Sequence, residues 1–146
     1  MISIKEINMK DVELCFALDS NNISLWSKKQ WDEEFKKEGI KVFGVLRTNL
    51  IIGICVIHVV IDEAQINYFV VDQHFRRLGY GSYLMNYLIK QCKNLSIKKL
   101  FLEVSDSNLD AQNFYSQFDF FTFGIRKNYY KDGSNALLKA KKFIKK

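Results

Sequence analysis

The stretch Val70 to Leu84, VVDQHFRRLGYGSYL, constrains this chain most. Gln65 to Val71 is an apolar run that stops at Asp72, the pattern of a buried strand. After it, Leu84, Met85, Leu88, Ile89 and Cys92 recur at spacings of three and four, one face of an amphipathic helix. Between strand and helix lies Arg76-Arg77-Leu78-Gly79-Tyr80-Gly81. A helix N-terminus leaves backbone N–H groups unpaired and carries the positive end of the helix dipole. Glycines let that backbone approach a ligand closely, and arginines add charge. The segment therefore predicts an anion site, with a phosphate as its natural occupant. The competing reading is an ordinary strand–turn–helix with a charged loop.

Two familiar phosphate motifs do not fit. A P-loop needs Lys followed by Ser or Thr after its second glycine, and here Ser82-Tyr83 follows. A dinucleotide fingerprint needs a third glycine where Leu84 stands, and its glycines follow the strand directly. Here Gln73 to Leu78 intervene. The pattern R-x-x-G-x-G after a strand ending in Val-Asp instead resembles the acetyl-CoA pyrophosphate loop of the GNAT N-acetyltransferases.

At 146 residues the chain fits one domain, 1–146, large enough to bury most of its apolar surface. Its 48% hydrophobic content excludes a disordered chain. The net charge of +6 is compatible with RNA, acidic surfaces or a polyanionic cofactor and does not choose among them. Cys15, Cys55 and Cys92 form no close-spaced pair and lie in apolar segments, as buried small side chains of a reducing compartment do. His58 and His74 match no zinc spacing, and no metal is expected. The N-terminus MISIKEINMK lacks the apolar core of a signal peptide. The uncharged run Leu50 to Ile61 is too short for a membrane helix of about 20 residues. The expected location is cytoplasmic.

Read in order, Ile2 to Ile7 is a first strand. Asn8 caps a helix from about Met9 to Asp19 with Val12, Cys15, Phe16 and Leu18 inward. Ser27 and Gln30 form a capping box, flanked by Trp26 and Trp31 in the staple positions, for a helix running to about Glu38 and stopped by Gly39. Strands Ile40 to Arg47 and Leu50 to Ile61 join through Thr48-Asn49, and Asp62-Glu63 makes the next turn. Gln65 to Asp72 leads into the loop, and the helix after it ends near Lys93-Asn94. Then come a strand Lys98 to Val104, a helix Asn108 to Phe118, and an antiparallel pair Phe120 to Lys127 and Asn135 to Ala140. Lys139, Lys141, Lys142, Lys145 and Lys146 read as a solvated basic tail. The order β-α-α-β-β-β-α-β-α-β-β predicts an α/β chain of the α+β mixed-sheet kind, with helices on both faces.

A second constellation begins at Leu100-Phe101-Leu102-Glu103-Val104, where Glu103 shares a strand face with Phe101 and Ser105. A solvent-facing carboxylate and one aimed into a polar cleft are equally compatible with the alternation. The span LEVSDSNLDAQNFYSQFDFF resembles the GNAT signature L-x-V-x-x-x-N-x-x-A-x-x-L-Y-x-x-x-G-F. The element order resembles the GNAT fold too: a mostly antiparallel central sheet with one parallel strand pair splayed around the loop. Val59-Val60-Ile61-Asp62-Glu63-Ala64 and Arg126-Lys127-Asn128-Tyr129-Tyr130 further resemble the RimI-type ribosomal-protein alanine N-acetyltransferases. The sequence departs from these patterns at Gln73 (usually proline), at Asp119 (usually glycine), at Val70 (often smaller) and at Asn67-Tyr68.

The resemblance implies an acyltransferase that moves acetyl from acetyl-CoA to an amine, the N-terminal alanine of a small-subunit ribosomal protein. It implies Glu103 as the base, directly or through a water, and Tyr115 as the proton donor to the leaving thiolate. Backbone of Phe69, Val70 and Val71 would hold the thioester oxygen. Arg77, Leu78, Gly79, Tyr80, Gly81 and Ser82 would hold the pyrophosphate, with charge added by Arg76, and Asn108 the pantetheine arm. Phe114 is expected in the core. Asp62 and Glu63 are either substrate contacts or a solvated turn, and Tyr129 and Tyr130 either grip the peptide or simply pack. No membrane contact is expected, nor nucleic-acid contact beyond closeness to the ribosome. Competing readings are a GNAT acting on a lysine side chain, a polyamine or another small amine; a non-catalytic acetyl-CoA-binding module; and an RNA-binding protein suggested only by charge.

Overall fold

The structure is a computed structural model and describes residues 1–143. Seven strands form one sheet in the order β1-β2-β3-β4-β5-β7-β6. They are β1 (Ile2–Ile7), β2 (Ile40–Arg47), β3 (Leu50–Val60), β4 (Glu63–Val71), β5 (Lys99–Ser105), β6 (Phe121–Arg126) and β7 (Ala136–Lys142). Four α-helices accompany them: α1 (Val12–Ser20), α2 (Lys28–Lys36), α3 (Tyr80–Asn94) and α4 (Leu109–Ser116). All neighbouring strands run antiparallel except β4 and β5. This is the expected mixed sheet with one parallel pair. β7 lies between β5 and β6, so the last hairpin folds back onto the sheet.

Most boundaries fall within two residues of those read from the sequence, and the differences have local causes. Asn8 does cap, its Oδ1 accepting from Lys10 N, but the first turn it caps is a 3-10 turn over Met9–Asp11. The capping box of Ser27 and Gln30 is present, and Trp26 and Trp31 meet edge to face at 4.8 Å. That helix ends at Lys36 rather than Glu38, because Lys37 already adopts extended backbone. Gly39 serves the next strand instead. At φ +85 it brings its carbonyl within reach of Val59 N, and a Cβ there would clash with the Val59 carbonyl oxygen. The turn after β3 is Ile61-Asp62, with Ile61 at φ +58, and Glu63 already belongs to β4.

Lys139, Lys141 and Lys142 are not a tail. They belong to β7, where Lys139 is 8% exposed and donates through Nζ to Thr122 Oγ1 at 2.9 Å. Lys141 Nζ donates to the Phe118 carbonyl. Alternation of lysine with Leu138 and Ala140 is a strand pattern that a charge count hides. Lys145 and Lys146 lie outside the described residues.

Two apolar clusters cover the sheet. One packs Leu84, Met85, Leu88 and Cys92 of α3 against Leu100, Leu102 and Val104 of β5. The other packs Val12, Cys15 and Leu18 of α1 and Trp31 of α2 against the opposite face. Of the inward residues expected on α1, Phe16 is only half-buried. A β-bulge in β4 changes which face its residues serve. Val56 pairs Tyr68 and Ile57 pairs Ile66, leaving Asn67 extra. Ala64 and Ile66 therefore face α3, whereas Tyr68 and Val70 face α1 and α2.

Asp119 follows α4 at φ +64, the left-handed conformation that glycine adopts without strain. Asp119→Gly is expected to raise stability by about 0.5–1 kcal/mol. A higher urea midpoint at unchanged m-value would register it. An unchanged or lower midpoint would refute the strain.

Candidate active site

The parallel pair opens where the bulge begins. β4 and β5 pair only through Glu63↔Lys99, Ala64↔Leu100 and Gln65↔Phe101. Past Gln65 the β5-facing edge of β4 has no strand partner among the described residues, so the backbone of Phe69 to Val71 borders a gap. A bulge bends its strand and increases its twist, which accounts for the divergence.

A cavity of about 490 Å³ fills the mouth of this gap. Phe69, Val70 and Val71 form its strand wall, and Asn108 and Tyr115 its α4 wall. Arg77, Gly79, Tyr80, Gly81 and Ser82 form its loop wall. Leu78, expected with them, points away and is 61% exposed. Phe114, expected in the core, is only partly buried. It lines the cavity and stacks on Phe69 at 5.5 Å and on Phe118 at 5.1 Å.

The loop is built for an anion. Gly79 holds the N-cap position of α3 at φ +87, and no side chain caps that helix. The first-turn N–H groups of α3 thus lack intrahelical acceptors at the cavity rim. A Cβ on Gly81 would meet Phe114 at 3.3 Å, so glycine sets how closely α3 approaches α4. Arg77 sits at φ +62, a strained conformation for a non-glycine residue. Arg76 Nε donates to the Val71 carbonyl at 3.1 Å, which ties its guanidinium to the strand end. These features fit the pyrophosphate of a CoA thioester: unpaired N–H donors, two guanidinium groups and a closely approaching glycine backbone.

Asn108 caps α4, its Oδ1 accepting from Ala111 N at 3.1 Å. Asn108 also lines the cavity. Tyr115 packs against Phe69, Phe114 and Phe120. Burial, with smaller contributions from Cys55 and Tyr130, holds its phenol well above the usual tyrosine range. Tyr115 therefore stays protonated at neutral pH and has a proton to donate.

Glu103 is not part of the cavity wall. Leu100, Leu102 and Val104 face α3, so Glu103 stands on the opposite face of β5. Its side chain is 22% exposed, and Arg126 Nη1 lies 3.6 Å from its Oε1. The guanidinium also sits 5.5 Å over the Tyr129 ring. Tyr130 is near enough that the Glu103 charge, after burial, raises its pKa. The pairing with Arg126 was not legible in the sequence, because 22 intervening residues leave no spacing signal.

The loop carrying Tyr129 and Tyr130 is held by Asn135. Its N–H and Nδ2 donate to the two carboxylate oxygens of Asp106, and its Oδ1 accepts from Asn128 N. Ser105 Oγ and Ser134 Oγ add a 2.8 Å bond. Asp62 and Glu63 are elsewhere, at the end of β4 opposite the cavity, where Asp62 pairs Lys98 at 3.4 Å. Among the described residues no group of three His, Cys, Asp or Glu side chains could hold a metal, and no helix is long and apolar enough to cross a membrane.

A model of the acetyltransferase (GNAT) family matches residues 6–120. A ribosomal protein bS18-alanine N-acetyltransferase of Haemophilus ducreyi is 39% identical over 94 residues, 62% of this chain and 65% of that protein. The Escherichia coli protein of the same name is 27% identical over 131 residues, 89% of this chain and 88% of that protein. The crystal structure of the ribosomal-protein-S18-alanine N-acetyltransferase from Escherichia coli superposes with a TM-score of 0.93 at 26% identity, over 100% of this chain and 96% of that one.

Proposed function

The chain belongs to the acetyltransferase (GNAT) family and is an acetyl-CoA-dependent N-acetyltransferase; from that premise we propose that its acceptor is the N-terminal alanine of a small-subunit ribosomal protein. Residues 1–146 act as one domain in this reading. One observation carries it: the gap between β4 and β5 has the anion-binding cavity on the α3 and α4 face and Glu103 on the α1 and α2 face. A thioester held from one face and an amine arriving from the other can meet only in that gap. Relatives named for this substrate support that choice of acceptor. A ribosomal acceptor would place the reaction in the cytoplasm.

Bound acetyl-CoA supplies an electrophilic thioester carbonyl. The loop from Arg77 to Ser82, with Arg76 beside it, holds the pyrophosphate, and Asn108 donates to the pantetheine arm. An α-amine has a pKa of about 7.7–8.0 and is mostly ammonium at neutral pH. Glu103, reached through a water because it lies outside the cavity wall, takes the amine proton. The C–N bond forms as the C–S bond breaks. Backbone N–H groups between Phe69 and Val71 stabilise the negative charge on the carbonyl oxygen. Tyr115 gives its proton to the departing thiolate. Tyr129 and Tyr130 border the acceptor's path from the Glu103 face.

Tyr115→Phe is expected to lower kcat about 10²-fold, the lower end of general acid–base contributions, with the Kd for acetyl-CoA nearly unchanged. A kcat within threefold of the parent would remove Tyr115 from the reaction. The substrate is tested by incubating the protein with acetyl-CoA and a basic ribosomal-type peptide that begins with alanine and contains internal lysines. Fragmentation should place the acetyl group on the α-amine. Acetyl on lysine alone would move the protein to the side-chain class, and no acetyl at all would reject the peptide as acceptor.

A further inference from the structure

We propose that Gln73 is a positioning residue that straps the α1–α2 loop, Asn21 to Leu25, to the end of β4 and so sets the width of the acceptor's entrance. This rests on the assignment of the Glu103 face to the acceptor. Three hydrogen bonds make the strap. Gln73 N donates to Asn22 Oδ1 at 2.8 Å, Gln73 Nε2 donates to the Asn21 carbonyl at 3.2 Å, and Asn22 Nδ2 donates to the Leu18 carbonyl at 2.8 Å. Asn22 thus bridges the end of α1 to the segment between β4 and the anion loop. Gln73 lies 51 residues from Asn22 in sequence, so these bonds join two separate walls of the site.

The strapped loop is part of the site. Ile23 at its centre is 51% exposed yet lines the cavity together with Val70 and Val71. The far end of the loop is fixed independently, since Ser24 N donates to the Asp19 carbonyl and Leu25 N to Asp19 Oδ1. The near half of the loop is turned by Asn21 N donating to the Ala17 carbonyl and Asn22 N to the Asp19 carbonyl, and Gln73 adds its tie across to the end of β4. The loop connects helices of the α1 and α2 face, the face on which Glu103 stands. Ile23 lines the same cavity as Arg76 and Arg77, so the loop stands between the cofactor cavity and the acceptor's side of the gap.

The local backbone provides a clean perturbation. Gln73 is the first residue of the 3-10 turn Gln73–Phe75, and Asp72 before it sits at φ −51, ψ 134. Proline is favoured at the first position of a helical turn and needs extended backbone before it. Gln73→Pro therefore removes both donors without demanding a new backbone course. Gln73→Ala removes only the side-chain bond and keeps the N–H bond to Asn22.

The experiment compares parent, Gln73→Ala and Gln73→Pro by amide hydrogen exchange, calorimetric titration with acetyl-CoA, and steady-state kinetics on the amine the parent acetylates best. In Gln73→Pro the amides of Asn21 to Leu25 should exchange faster. The KM for the acceptor should rise about 3- to 30-fold, the effect of one to two hydrogen bonds, and Gln73→Ala should give a smaller rise. The kcat should stay within twofold, and the Kd for acetyl-CoA should change less than the KM. Unchanged exchange overturns the strap. Faster exchange at unchanged KM overturns its role at the entrance. A Kd shift as large as the KM shift would assign Gln73 to the cofactor loop instead. A parent that does not acetylate the alanine peptide defeats the substrate assignment separately, since the variants are compared on whichever amine the parent uses.

Discussion

Glu103→Gln should lower kcat by about 10²–10⁴-fold, the range for loss of a positioned general base, and leave the Kd for acetyl-CoA unchanged. The second half of that expectation follows from the structure. Glu103 lies on the face of β5 opposite the leucines that pack on α3, outside the walls of the cavity. Glutamine keeps the shape and much of the polar contact to Arg126, which stands 3.6 Å away, so the local loop should survive. The pH profile separates a base from a binding group. Without Glu103 the residual kcat should follow the fraction of free amine, rising about tenfold per pH unit below its pKa of about 7.7–8.0. The parent should depend on pH less steeply over that interval. Tyr115, whose phenol burial holds above the usual range, should not cause a fall in rate on the alkaline side below pH 10. A Glu103→Gln enzyme that is as active as the parent, or that loses only acceptor KM, would show that the carboxylate binds and does not accept the proton.

Much of this arrangement was legible because its signals are local. Two glycines and two arginines between an apolar run and a helical periodicity define the anion loop without tertiary information. Ser27 and Gln30 specify their capping box by spacing alone. What was missed is carried by contacts that have no spacing. The extra residue at Asn67 leaves no compositional mark, yet it turns Tyr68 and Val70 toward α1 and α2 and bends β4 away from β5. Gln73 stood out only as a departure from a proline pattern, and its partners lie some fifty residues upstream. The hydrophobicity of Phe114 suggests the core, although a cavity wall needs aromatic surface too. The lysines of β7 read as a tail in sequence because a charge cluster near a terminus usually is one, and the partners that bury Lys139 and Lys141 lie in or before β6.

Asp19→Ala should destabilise the protein by about 3–5 kcal/mol. The sequence shows an aspartate at the end of an apolar helix and gives no sign of its burial. The structure makes it 0% exposed and surrounds its carboxylate with four donors. Leu25 N and Tyr68 OH donate to Oδ1 at 2.9 and 3.0 Å, and Trp26 N and Trp31 Nε1 donate to Oδ2, both at 2.9 Å. Those four groups come from the α1–α2 loop, α2 and β4, so one side chain ties three elements across the second apolar cluster. Alanine would leave all four donors without an acceptor; the Trp31 and Tyr68 donors are buried and each costs about 1–3 kcal/mol unsatisfied, whereas the part-buried Leu25 and Trp26 amides can turn to water. Water entering the space would recover part of that, which keeps the sum below simple addition. Tyr68→Phe should cost only about 0.5–1.5 kcal/mol, since three donors still satisfy the carboxylate. In the Asp19→Ala background the same Tyr68→Phe change should cost less, or even stabilise, because it deletes a donor that has already lost its partner. Urea unfolding of the two single variants and the double variant measures this coupling. Additive losses would mean that Tyr68 and Asp19 act independently. A loss below 1 kcal/mol for Asp19→Ala would mean that the loop finds other acceptors and that the carboxylate does not organise this side of the site.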